Sequence, residues 1–300
     1  MFAGLTAGSD VVSEHSILSA KITPLELSDG RGVNLLTLLG GAEWPFLHSD
    51  TLFVRDFYDA FFNEYLGHYR KDTKVIVSGT PGIGKSAFGL YCIYRALKDD
   101  KTVVYHSAKE AALYYVYSST SVTSHKDYPD QLLHNSAQVV YISDAIRPAI
   151  VPCVTILLTS PTKEVWYEFR KEEGCLDKKF GKWDRGDELD LLRRHCFNNI
   201  SDEKMNEQVI MWGEIPRIAL TKANGGEYSA ESLKGLVDVC DPDMLVKSTI
   251  LNETGKDNPT HRLIHIVPTE TFDDGGRDFA SNYIRDLVYD HFATSASDRF

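Results

Sequence analysis

The chain has 300 residues, 43% of them hydrophobic and 25% charged, with a formal net charge of −11. That composition belongs to an ordinary globular protein whose core needs no disulfide staples, and the acidic balance argues against a broad phosphate-binding surface for DNA or RNA. No stretch approaches the about 18 unbroken apolar residues of a membrane span, and the five cysteines, Cys92, Cys153, Cys175, Cys196 and Cys240, include no C-x-x-C pair for zinc or redox work.

In chain order, residues 1–51 carry scattered Gly, Ser and Pro with short apolar runs, and read as a partly ordered N-terminal extension. Met1-Phe2-Ala3-Gly4-Leu5 lacks the basic start and continuous apolar run of a secretory signal, so export by that route is not expected. Widely spaced thiols fit a reduced, intracellular setting. Phe53, Phe57, Phe61, Tyr65 and Tyr69 fall four apart, with Tyr58, Phe62 and Leu66 beside them. This spacing predicts an amphipathic helix whose aromatic stripe packs on a core.

Residues 75–77 form a short β-branched run, read as a buried strand. Further strands are expected at 102–106, 139–143 and 153–159, with helices at 108–117 and 162–172 and an exposed loop at 118–130. This alternation predicts an α/β core over residues 52–173, a parallel sheet covered by helices. Residues 174–186, with Lys178, Lys179, Lys182 and Arg185, read as a solvated basic linker, phosphate contact being the second reading. Helical patterns at 187–196, 202–212 and 216–222, a strand at 261–267 and a closing helix at 279–292 make residues 174–300 a helical lid and C-terminal segment.

One motif dominates the chain. Gly79-Thr80-Pro81-Gly82-Ile83-Gly84-Lys85-Ser86 fits the Walker A pattern G-x-x-x-x-G-K-[ST], with a strand before it and a helical run (Phe88, Leu90, Tyr91, Cys92, Tyr94, Leu97) after it. The glycines allow the tight backbone that turns N–H groups toward a phosphate chain, and the helix aims its positive end at the same anion. Lys85 is expected on the β- and γ-phosphates and the Ser86 hydroxyl on Mg²⁺. A nucleoside triphosphate is the predicted ligand, and the fold is predicted to be a P-loop NTPase.

A partner carboxylate is expected at a neighbouring strand end. Gln138-Val139-Val140-Tyr141-Ile142-Ser143-Asp144 supplies one in Asp144, a Mg²⁺-orienting group or a plain turn residue. Ala145 follows, where many hydrolysing relatives carry a Glu base, so the base is unassigned. Thr159 and Ser160 close the next strand, either as a γ-phosphate sensor or as a turn. Trp212-Gly213-Glu214-Ile215-Pro216-Arg217 opens a lid helix. Pro216 would pack against the nucleotide and Arg217 would sense the γ-phosphate, or Arg217 is a surface residue. His261 and His265 are four apart in a strand-like segment with no Glu between them, a poor zinc pattern. Asp202-Glu203-Lys204 begins a helix rather than ending a strand, which sets aside a nuclease reading.

The ordered set of segments resembles the P-loop NTPase shared by Crinkler effectors and trypanosome retrotransposon hot spot (RHS) proteins. It comprises Val54-Arg55-Asp56-Phe57-Tyr58, the Gly79–Ser86 loop, Tyr141-Ile142-Ser143-Asp144, Leu158-Thr159-Ser160-Pro161 and Tyr167-Glu168-Phe169-Arg170-Lys171. Trp183, Glu188-Leu189, Gly213-Glu214-Ile215-Pro216-Arg217 and His261-Arg262-Leu263-Ile264-His265-Ile266-Val267-Pro268 continue the series. The resemblance implies an ATPase related to the STAND and AAA groups, with roles carried by Lys85, Ser86, Asp144 and Arg217, and an effector acting in a host cell, commonly its nucleus. The chain departs from the pattern in lacking a Leu-Phe-Leu-Ala-Lys type translocation element and a nuclease domain after the lid, and in placing Glu214 where a second Gly is usual.

The combined reading is slow hydrolysis of ATP with Mg²⁺. The alternatives are a non-hydrolysing nucleotide switch that serves as an interaction module, and a phosphotransferase for a small acceptor. A protein partner or self-association is open. Strong direct nucleic-acid binding and membrane association are not expected.

Overall fold

A computed structural model describes residues 17–134, 138–161, 163–184, 186–240, 245 and 260–297. Thr162, Arg185 and the first five residues, each invoked above, lie outside them.

Where the sequence suggests a loose extension, three antiparallel strands form: β1 (Lys21–Glu26), β2 (Gly32–Thr37) and β3 (Thr51–Val54). Asp29-Gly30 turns the first hairpin, with Gly30 at φ 84°, a conformation that favours glycine. Val33, Leu35, Leu36, Leu52 and Phe53 are buried, and the Trp44 indole N–H donates to the Leu36 carbonyl at 3.0 Å. The aromatic stripe yields a shorter helix than its spacing predicts, α1 (Tyr58–Tyr65), because Phe53 belongs to β3. The stripe packs inward: Tyr58 and Phe61 meet Phe88 edge-on at ring distances of 5.0 and 5.3 Å.

The central layer follows. β4 (Lys74–Gly79) leads through the glycine loop to α2 (Lys85–Lys98). Next come β5 (Thr102–Ser107), β6 (Tyr114–Tyr117), β7 (Val122–His125), α3 (Asp130–His134), β8 (Val139–Asp144), β9 (Val154–Thr159), α4 (Lys163–Arg170) and β10 (Leu176–Phe180). The strands form one seven-stranded sheet, ordered β10-β4-β9-β8-β5-β6-β7. β5, β8 and β9 run parallel, while β6 and β7 add antiparallel at one edge. β4, β8 and β9 are buried at every position, as strands covered on both faces require. The fold is mixed α/β with a mostly parallel central sheet, as the alternation predicts.

Three local expectations give way to strands. Residues 108–117, expected as a helix, form a 3-10 turn (Ala108–Glu110) and then β6, whose Tyr-Tyr-Val-Tyr alternates half-buried and buried. The expected loop at 118–130 contains β7. The expected basic linker contains β10, where Lys178 and Phe180 are buried. Lys178 Nζ donates to the Thr271 carbonyl and Asp273 Oδ1, and Lys179 Nζ to Ser78 Oγ and Asp177 Oδ1, so these lysines are paired rather than solvated.

After β10 come α5 (Glu188–Cys196), α6 (Asp202–Trp212), a π-helical turn (Arg217–Thr221), α7 (Ala230–Asp238), α8 (Thr260–Leu263), the hairpin β11 (Ile264–Pro268) and β12 (Asp274–Phe279), and α9 (Asn282–Ser297). The predicted strand at 261–267 thus begins only at Ile264. Ser201 caps α6 by accepting from the Lys204 N–H at 3.2 Å, which gives Asp202-Glu203-Lys204 a structural place in a first turn.

The chain divides into two compact units. One comprises Met1–Ile76, Ser86–Thr159 and Val165–Leu176; the other comprises Val77–Lys85, Ser160–Glu164 and Asp177–Phe300. In the first, α2 lies close on the sheet: a Cβ at Gly89 would meet Leu158 Cδ1 at 2.5 Å. The second is built around Trp212, Ile215, Leu233, Val237 and Ile284, all fully buried. Among the described residues no helix is long and apolar enough to cross a membrane.

Candidate functional site

The glycine loop joins β4 to α2 through left-handed backbone. Gly82 and Gly84 have φ of 92° and 96°. A Cβ at Gly79 would lie 2.5 Å from the Phe180 carbonyl oxygen, and one at Gly82 would lie 2.8 Å from Arg217 Cβ. Only glycine fits such approaches without displacing its neighbours. Lys85, only 9% exposed, curls back over the loop and donates from Nζ to the Gly79 carbonyl at 2.8 Å and the Thr80 carbonyl at 3.0 Å. Its charge is thus held at the mouth of the loop. Ser86 is the second residue of α2.

Groups far along the chain, within the same unit, hold this loop from outside. The Arg217 backbone N–H donates to the Gly82 carbonyl at 3.4 Å, the Trp183 indole N–H to the Ile83 carbonyl at 2.8 Å, and the Ile266 N–H to Thr80 Oγ1 at 3.3 Å. Pro216 has helical backbone angles and opens the π-helical turn that starts at Arg217. The structure therefore brings Gly79–Lys85, Pro216 and Arg217 together. Trp183 also donates its own N–H to the Glu214 carbonyl at 3.1 Å, tying the loop to the Gly213–Arg217 segment.

In the other unit, Asp144 ends β8, 5% exposed. Its Oδ2 accepts from the Tyr105 hydroxyl at 2.8 Å. Burial foremost, then the Asp144 carboxylate, push the Tyr105 phenol well above the usual tyrosine range, so it stays protonated and donating. Ser143 Oγ donates to the Ile146 carbonyl at 2.6 Å, and the Ala145 N–H to the Leu158 carbonyl at 2.7 Å. Between them Ala145 sits at φ 58°, left-handed and uncommon for a residue with a Cβ. The turn after Asp144 is thus held in a fixed, mildly strained form. Thr159 is the buried last residue of β9.

Sequence reasoning missed Tyr105 and the Thr80–Ile266 link, and it noted Trp183 only as part of a pattern. A strand tyrosine facing a carboxylate 39 residues away leaves no local signal. His265 is buried in β11 and the His261 side chain is not described. Among the described residues no cluster of three or more His, Cys, Asp or Glu could hold a metal alone.

Sheet, glycine loop and following helix define the class: a mixed α/β protein with a mostly parallel central sheet and a glycine loop between β4 and α2. No family model matches the chain. It is similar to Crinkler effector proteins 15 and 16 of Phytophthora infestans, each 26% identical over 147 residues, 44% of this chain and 23% of the relative. The match thus spans less than a quarter of those relatives' length. A solved structure, the RuvB Holliday junction branch migration motor of Thermotoga maritima, aligns over 78% of this chain and 94% of that one, at 10% identity and a TM-score of 0.38.

Proposed function

We infer that this chain binds ATP with Mg²⁺ and hydrolyses it slowly, as a Crinkler/RHS-like effector module. The observation that carries the reading is the glycine loop with Lys85 already folded over it. Lys85 would exchange its two neutral carbonyl acceptors for anionic β- and γ-phosphate oxygens, which pairs its ammonium with opposite charge. N–H groups of residues 82–86 would line the phosphates, and the N-terminus of α2 would favour their charge. The Ser86 hydroxyl and the Asp144 carboxylate are hard oxygen donors that suit Mg²⁺, which keeps several waters and needs few protein ligands. Bound there, the metal would neutralise phosphate charge; Tyr105 would keep Asp144 oriented. Pro216 would pack on the nucleotide and Arg217 would sense the γ-phosphate. Action inside a host cell belongs to the same proposal and rests on the resemblance to effectors.

A second reading has its own observation. Ala145 occupies the position of the usual base in a left-handed turn, and no carboxylate stands beside Asp144 in sequence to activate water. That favours a nucleotide-binding switch with little turnover.

The test is titration of the purified chain with Mg·ATP and Mg·ADP, together with phosphate release, against Lys85→Ala. Wild type is expected to bind and the variant to lose at least about tenfold in affinity, the scale of one charge-assisted contact, with an unchanged circular dichroism spectrum. No binding by wild type at millimolar nucleotide would sink the reading. Binding without phosphate release would select the switch.

A further inference from the structure

We propose that Trp183 is a positioning residue for the phosphate-binding loop: its indole N–H fixes the peptide between Ile83 and Gly84 so that the Gly84 N–H faces the phosphates. The inference rests on the nucleotide-binding reading above and deepens it.

In a trans peptide the carbonyl of one residue and the N–H of the next point in opposite directions. Whatever holds the Ile83 carbonyl outward therefore aims the Gly84 N–H inward. Trp183 does so at 2.8 Å, from a side chain only 5% exposed. The preceding peptide is held the same way by the Arg217 N–H on the Gly82 carbonyl. Two consecutive peptides of a glycine-rich loop, each free to flip in isolation, thus have outside donors on their carbonyls. Glycine costs the most backbone entropy to order. A loop whose planes are set beforehand does not spend that entropy when the anion arrives.

The indole suits the task. It is rigid, anchored by burial, and carries one donor and no acceptor, so it can satisfy a carbonyl but cannot offer an oxygen to a phosphate. The Trp183 backbone N–H on the Glu214 carbonyl ties the same residue to the segment that bears Arg217. One residue thereby ties loop geometry, through its side chain, to the Gly213–Arg217 turn, through its backbone.

The experiment compares wild type, Trp183→Phe and a chain with benzothienylalanine at position 183, in which sulfur replaces the indole N–H and the ring shape is kept. Mg·ADP and inorganic tripolyphosphate are the probes. Loss of one neutral hydrogen bond predicts a rise in Kd of about three- to tenfold for both probes in both variants, with the benzothienyl chain keeping the wild-type circular dichroism spectrum. In the ¹H–¹⁵N spectrum of wild type, the Trp183 indole peak is expected to shift on adding ADP, while that of Trp44, which donates to Leu36, stays in place. Equal affinity of wild type and the benzothienyl chain, or a Trp183 indole peak unmoved by bound ADP, would reduce Trp183 to core packing and overturn the inference while leaving nucleotide binding intact. If wild type binds neither probe, the functional reading falls and the inference falls with it.

Discussion

At the scale of single residues, the pair Tyr105–Asp144 carries the sharpest test. A buried carboxylate without donors is costly, and the Tyr105 hydroxyl is a donor that burial keeps protonated across the working pH range. Tyr105→Phe keeps the ring in its place and removes one oxygen. The lost hydrogen bond leaves a buried acceptor oxygen without its donor and predicts a destabilisation of about 1–3 kcal/mol in urea unfolding at pH 7. If Asp144 works through Mg²⁺, the variant should also need more Mg²⁺ for half-maximal turnover, with ATP affinity little changed. Full stability in the variant would show that water or another group replaces the hydroxyl at no cost.

At the scale of elements, glycines at points of close approach decide which pieces can exist. Gly213 ends α6 at φ 80°, and a Cβ there would drive into the Ala280 carbonyl oxygen. Neither strain nor clash can be relieved by turning a side chain, since the obstacle is backbone. Gly213→Ala is expected to cost at least about 2 kcal/mol, measured by denaturant unfolding, whereas Gly235→Ala on α7, with nothing within 4 Å, should be neutral or stabilising. The same contrast shows what could be read in advance. The glycine loop was legible because its glycines, lysine and serine stand at set spacings, and β4, β8 and β9 because strands buried on both faces are near-continuous apolar runs. β10 was not, because its lysines look solvated until Asp177, Asp273 and Ser78 are known to receive them. β6 was not, because four residues of tyrosine and valine fit a helical window as well as a strand. Trp183 and Tyr105 act through partners 100 and 39 residues away, and no local pattern records such pairs.

At the scale of the whole molecule, charge sets which polyanions can approach. A net charge of −11 repels nucleic acid unless a local basic surface outweighs it. The best source of such a surface is the run around Lys178, Lys179 and Lys182, followed by Arg193 and Arg194. In the fold each of these meets a carboxylate: Lys178 pairs with Asp273, Lys179 with Asp177, Lys182 with Glu214, and both arginines with Asp190. Binding DNA there would require breaking these pairs as well as crossing the acidic field. Duplex DNA of about 30 base pairs is therefore expected to bind no more tightly than the weak end of nonspecific association, about 10⁻⁴ M at physiological salt. Fluorescence anisotropy at 50 and 150 mM NaCl checks this, and whatever binding appears at low salt should vanish at the higher. A nucleoside triphosphate is a different case. On the proposed reading its few charges would meet a loop whose N–H groups and Lys85 act at contact range, where the distant field is screened over roughly 8–10 Å. Nucleotide affinity should accordingly change far less than DNA affinity between the two salts. Nanomolar, salt-resistant binding to DNA would mean that the paired lysines reorganise on contact, and would favour nucleic-acid work over the proposed nucleotide function.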